Sequence, residues 1–111
     1  MASKKEFVLF VVDQVKDAGV ITYRHMFGEY GVYADGKLFG LICDNKLFIK
    51  QTNAGRTYIG DPVEAPPYPG AKNQFLIEEK IEDAAWLSEL VRLSVAELPP
   101  PKPKKKKAKK K

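Results

Sequence analysis

The sequence predicts an α+β domain of two layers, an antiparallel sheet of four to five strands with helices on one face. Two amphipathic helical patterns stand near the ends of the chain, and between them a run of short apolar segments is punctuated by turn dipeptides. The pattern orders the elements α-β(3)-α-β(1–2)-α. At 111 residues with 44% hydrophobic content, the chain supports one modest core.

The first helix is expected over residues 3–18. Ser3 stands as N-cap with Glu6 three positions on, the spacing of a capping box. Val8, Val11, Val12 and Val15 then recur at helical spacing beside Phe7, and Gly19 provides a stop. Valine is a mediocre helix former, so burial rather than propensity must hold this segment.

A meander follows. Asp35-Gly36 and Asp44-Asn45 are two-residue hairpin signals, and tight turns there fix a register. Tyr33 then faces Leu38, Val32 faces Phe39, and Gly31 faces Gly40. Across the second turn Ile42 faces Leu47, Leu41 faces Phe48, and Gly40 faces Ile49. Opposed residues share a face. One face is expected to carry Gly31, Tyr33, Leu38, Gly40, Ile42, Leu47 and Ile49, with the two glycines letting a helix approach closely. The other carries Tyr30, Val32, Phe39, Leu41 and Phe48, with Lys37, Lys46 and Lys50 near the strand ends. A phosphate cradle would need glycines between a strand and a helix N-terminus; here strands follow the glycines.

Beyond Lys50, "TNAGRTYIG" suggests a short helix capped by Thr52 or Asn53, which Gly55 weakens. The prolines of "DPVEAPPYPG" mark a loop or an edge strand, and "NQFLIEE" a strand with Phe75 and Ile77 inward. The last helix spans residues 83–97. Asp83 caps it, Leu87, Leu90, Val91 and Val95 form its stripe between Trp86 and Leu98, and Pro99 ends it.

Charge divides the chain in two. Residues 1–98 hold all 14 acids against 11 basic residues, whereas residues 99–111 hold eight lysines: Lys102, Lys104, Lys105, Lys106, Lys107, Lys109, Lys110 and Lys111. Prolines and like charges there predict a disordered tail, suited to a weak tether on nucleic-acid phosphates. Without interleaved aromatics, no base reading is expected of it. The single cysteine, Cys43, and the lack of a signal-like or membrane-length apolar run lead to the expectation of a cytoplasmic protein without a disulfide.

Catalytic patterns are sparse. His25 is the only histidine, no nucleophile elbow is present, and Glu78 and Glu79 would point to opposite faces of a strand. Neither a metal site nor a cofactor is expected, and a non-enzymatic role is the reading of the residues. The set Tyr30, Val32, Phe39, Leu41 and Phe48 is an apolar patch that one helical layer cannot cover, which suggests a protein partner or a homodimer. The competing reading is that "APPYPG" with Tyr68 folds over it. Two other roles stay open: a dimeric chaperone-like adaptor, and a small-ligand binder or enzyme with a pocket near Arg24, His25 and Tyr30.

The stretch "YRHMFGEYGVYADGKLFGLICDNKLFIK" resembles the N-terminal domain of the TfoX/Sxy family. Arg24, Met26, Phe27, Gly28, Tyr30 and Gly31 match the family's opening motif, and Asp44, Lys46, Leu47, Phe48 and Lys50 its later stretch. The likeness covers roughly residues 4–98, leaving 99–111 as the tail. It implies the order α-β(3)-α-β(2)-α, with a further strand near residues 62–65. It also implies a link to regulation of competence genes through a transcription factor, the cyclic-AMP receptor protein. Two departures weaken that link: Glu29 replaces the usual second glycine, and the lysine tail stands where full-length relatives carry a helical domain.

Overall fold

The computed structural model describes residues 3–26 and 29–99, a range that leaves Phe27, Gly28 and the eight tail lysines outside the described residues. Among them run α1 (Lys5–Gln14), β1 (Ile21–Met26), β2 (Glu29–Ala34), β3 (Lys37–Cys43), β4 (Lys46–Ile49), α2 (Asn53–Ile59), β5 (Val63–Ala65), β6 (Gln74–Ile77) and α3 (Ala84–Glu97). The strands form one antiparallel sheet in the order β1-β2-β3-β4-β6-β5. The expected α+β architecture is present with one strand more than anticipated. That strand is β1, where Ile21 and Tyr23 pack on the core and Thr22 and Arg24 lie exposed.

The helices share one face of the sheet. Val8, Val11 and Val15 meet Leu87, Leu90 and Val91 over Val32, Ala34, Ile42, Leu47, Ile49, Phe75 and Ile77. The helical spacings of the valines and leucines are what place them on this side. At the start of α1 the expected capping box does not form: the N-cap is Lys4, with no side-chain cap. The Ser3 hydroxyl is engaged elsewhere, donating to Glu29 Oε1 at 2.6 Å and accepting from Asn45 N–H at 3.0 Å. Asp83 does cap α3, accepting from Trp86 N–H at 3.0 Å. Thr52 caps α2 through Gly55 N–H at 3.0 Å, and Glu97 accepts from Asn53 and Ala54 N–H at 2.8 and 2.9 Å. The last acid of α3 thus satisfies the first free donors of α2.

Both hairpin turns form as expected. Asp35 and Gly36 take φ of 51° and 84°, and Asp44 and Asn45 take 53° and 58°, the left-handed pairs that a two-residue turn needs. The second hairpin keeps the expected register, from Cys43 opposite Lys46 to Gly40 opposite Ile49. The first slips. Tyr33 faces Leu38, but Val32 faces Gly40, Gly31 faces Leu41, and Tyr30 faces Ile42. Phe39 is the extra residue of a bulge.

The bulge corrects the expected faces. Phe39 and Gly40 are consecutive, yet both fall opposite the stretch around Val32, so Lys37 and Phe39 join Gly40 and Ile42 on the helix side. Val32 and Phe39 are fully buried in the helix-side core, and Tyr30 packs against it. Gly31, Tyr33 and Leu38 consequently turn outward. The physical cause is visible at Gly40, where an added Cβ would overlap the Phe48 carbonyl oxygen and come within 3.2 Å of Ile49 Cδ1. The close approach that needs this glycine is a neighbouring strand, not a helix. A helical glycine does the latter job: an added Cβ on Gly55 would lie 3.3 Å from both Phe75 Cε2 and Ser94 Oγ.

Candidate functional site

The sheet face turned away from the helices carries Leu38, Leu41 and Cys43 on β3 and Phe48 on β4. The segment joining β5 to β6 crosses this face. Pro67, Tyr68 and Pro69, with Gln74 at the start of β6, wall a cleft of about 810 Å³ whose floor is Leu38, Leu41 and Cys43. Tyr30 borders its far end, where Glu29 and Asp44 supply the acidic groups. Among the described residues, no lysine or arginine lines it.

Each element positions its part of the cleft for a stated reason. The bulge at Phe39 sends Leu38 and Leu41 to the same face, although three positions apart, because one extra residue shifts the two-residue alternation. Prolines keep the β5–β6 segment from pairing as a strand, so it passes over the face instead. Tyr68 remains 55% exposed, whereas Phe48, paired with Leu41 on the same face, is only 4% exposed. The expectation that a loop containing "APPYPG" folds over this face therefore describes the structure better than a bare five-residue patch.

The acidic end is held rigidly. Glu29 Oε1 accepts from Ser3 N–H at 3.0 Å as well as from its hydroxyl, and Glu29 Oε2 accepts from Asp44 N–H at 3.0 Å. Burial alone would raise the Glu29 pKa, but the Ser3 and Asp44 donors outweigh it and hold the carboxyl below its ordinary value. Lys4 N–H donates to Asn45 Oδ1 at 2.8 Å, completing the tie between the N-terminal segment and the β3–β4 turn. Cys43 is buried, and desolvation, with the Glu29 charge adding to it, pushes its thiol up to about 11. Such a thiol is a poor nucleophile at neutral pH.

The expected site residues are only partly brought together. Leu41 and Phe48 stay on the outer face; Tyr30, Val32 and Phe39 do not. Arg24 and His25 are exposed on β1, and His25 meets the Tyr30 ring edge-on at 5.0 Å, but neither lines the cleft. Met26 ends β1 opposite Glu29, and Gly31 is buried between Arg24 and Leu41 on the neighbouring strands. Trp86, at the start of α3, is half-buried, stacked on Tyr58 at 5.4 Å and beside a smaller groove of about 450 Å³. Among the described residues, no group of three or more His, Cys, Asp or Glu is placed to hold a metal ion. No helix among them is long and apolar enough to cross a membrane.

Sequence reasoning missed Leu38, Gln74 and the acidic pair as a group. The available signal was spacing: Phe39 and Ile42 are apolar at an interval of three with Gly40 between them, a break in alternation that marks a bulge.

The fold and cleft define a small α+β domain with one helix-covered sheet face and one loop-covered face. The chain belongs to the TfoX N-terminal domain family, whose model matches residues 13–98. It is also 40% identical over 109 residues to a Spirochaeta aurantia protein described as an uncharacterized 12.7 kDa protein in trpE 5'region. That match covers 98% of this chain and 95% of the relative.

Proposed function

We propose that this chain is a non-catalytic cytoplasmic interaction module, an accessory factor of transcription of the TfoX type. The outer sheet face is its protein contact, and its lysine tail is a weak, sequence-independent tether to nucleic acid. The observation that carries the reading is the cleft: an apolar floor beneath an exposed Tyr68, with carboxylates at one end and a protonated, buried thiol as its only sulfur nucleophile. Apolar surface left open by a folded domain supports a contact role. The family's link to competence genes supports a transcription factor as partner.

Two binding measurements on the full chain test the two halves separately. Affinity for duplex DNA is measured against salt in the native chain and in a variant with its eight tail lysines changed to glutamine. Eight phosphate contacts would give a log–log slope of roughly −7, which the variant should lose. Equal affinities at low salt refute the tether. Leu41→Lys should leave DNA binding intact and abolish binding to purified cyclic-AMP receptor protein. Binding unaffected by that change removes the outer face from the reading. Light scattering on the same variant tests homodimerisation: a dimer that persists does not use this face.

A further inference from the structure

The acidic body and the cationic C-terminal segment are joined at a fixed point. Lys37 Nζ donates to Val95 O at 3.0 Å and to Leu98 O at 3.2 Å, which pins the end of α3 beside the first residue of β3. A cation there also complements the negative end of the helix dipole. The next residue, Leu38, turns to the opposite sheet face and lies at one end of the cleft. At the other end stand Glu29 and Asp44. The cleft therefore starts next to the place where residues 99–111 depart and ends on carboxylates.

We propose that the cleft is the docking site of the chain's own C-terminal segment, residues 100–111. Its prolines would lie over Leu38 and Leu41 against Pro67 and Tyr68, and its lysines would reach Asp44. The segment lies outside the described residues; its sequence, its point of departure and the shape and charge of the cleft point to the docking.

Length permits the docking. From Leu38 to Asp44 is six strand steps, about 20 Å. Twelve residues in an extended polyproline conformation span about 37 Å, which leaves about 17 Å for rounding the end of the sheet. Composition also fits. Prolines bring no backbone donor to an apolar floor, and the Pro100–Pro103 spacing is that of segments that dock as polyproline helices beside aromatic side chains. Charge complements as well, since eight lysines meet a cleft lined by two carboxylates and, among the described residues, no cation. Tethering raises the effective concentration into the millimolar range, so a weak contact suffices. On the tether reading above, nucleic acid and the cleft then compete for the same lysines, and binding one would open the other. The docking itself does not depend on that reading.

The test uses the full chain alone, free of partner and nucleic acid. Ala108→Cys carries a nitroxide, which buried Cys43 does not accept. In NMR spectra at low salt, paramagnetic broadening is expected at Leu41, Asp44 and Tyr68. It should vanish in about 0.5 M salt, where charges are screened beyond a few ångströms, and in Asp44→Lys. Three results would overturn the proposal: a dispersed spectrum without broadening, broadening centred on the acidic stretch 78–83, or broadening that grows with protein concentration. The last would make the occupant a second copy's segment. An independent loss of DNA or partner binding would leave this measurement untouched, so the two readings fail separately.

Discussion

Replacing Gly40 by alanine should destabilise the fold by an amount that the bulge makes unusually large for one methyl group. An added Cβ would overlap the Phe48 carbonyl oxygen and sit 3.4 Å from the Phe48 carbonyl carbon, with Ile49 Cδ1 at 3.2 Å. The first two obstacles are backbone and cannot rotate away. Relief requires β3 and β4 to part locally, or the bulge to unwind and carry Phe39 out of the core. Overpacking of this kind costs about 1–3 kcal/mol, and each ladder hydrogen bond lengthened adds about 0.5–1.5 kcal/mol. The sum is roughly 2–4 kcal/mol, or a fall in Tm of about 10–30 °C for a domain of this size. Urea unfolding followed by Trp86 fluorescence measures it, the only tryptophan being stacked on Tyr58. A Gly40→Ala chain within about 0.5 kcal/mol of the native one would mean that the strands yield freely, and the account of the slipped register would be wrong.

Three further outcomes are expected of the folded chain. Phe39→Glu should leave little folded protein by circular dichroism, because it buries a charge at a fully enclosed position, whereas Leu41→Lys should unfold at nearly the native urea concentration. Stability should also fall in acid through Glu29. Its carboxyl is depressed in the folded chain, so its contribution is present above the ordinary value of 4.5 and is lost as pH drops through the lower folded value. Glu29→Gln should reduce the urea midpoint at pH 7 and narrow the difference between pH 7 and pH 3; an unchanged difference would contradict the assigned ties. At pH 8 a thiol at about 11 is ionised in about one molecule per thousand, so Cys43 should react with a disulfide reagent only as urea exposes it. Fast labelling of the folded chain would place that thiol in solvent.

Much of the fold was legible because periodicity and turn chemistry act locally. The stripes Val8–Val11–Val15 and Leu87–Leu90–Val91 mark the faces that α1 and α3 bury, and the Asp-Gly and Asp-Asn pairs set both turns. The β3–β4 register followed directly from its turn. The β2–β3 register did not, because turn chemistry fixes pairing only until the ladder is interrupted, and the interruption depends on which side of β3 the core needs. Phe39 and Ile42 can both point inward only with an extra residue between them, and Gly40 is the residue small enough to permit it. The strand β1 carries a weaker signal: only the short alternation of Ile21 and Tyr23 with Thr22 and Arg24 marks it as an edge strand. The cleft was the least legible feature. Its walls come from four separated stretches, and only the prolines and Tyr68 of the β5–β6 segment announced that something would cross the outer face.

Glu29 joins these observations. It stands where the family's motif usually places a second glycine, and a glycine there could not accept from Ser3 and Asp44. Those bonds fasten the β3–β4 turn, whose Asp44 and Asn45 both occupy left-handed conformations, to the segment preceding α1. The acidic end of the cleft is thereby fixed from two sides, by the turn's own geometry and by a carboxylate from a neighbouring strand. A site whose charged end is preorganised loses less entropy when a cation arrives than one whose loop must first be ordered. The same carboxylate also suppresses ionisation of Cys43 at the cleft floor. Glu29 thus fixes a carboxylate at this end of the cleft and turns the site away from thiol chemistry; two of its three donors are the backbone N–H groups of Ser3 and Asp44, which a change of either side chain would leave in place, whereas the bond from the Ser3 hydroxyl would be lost.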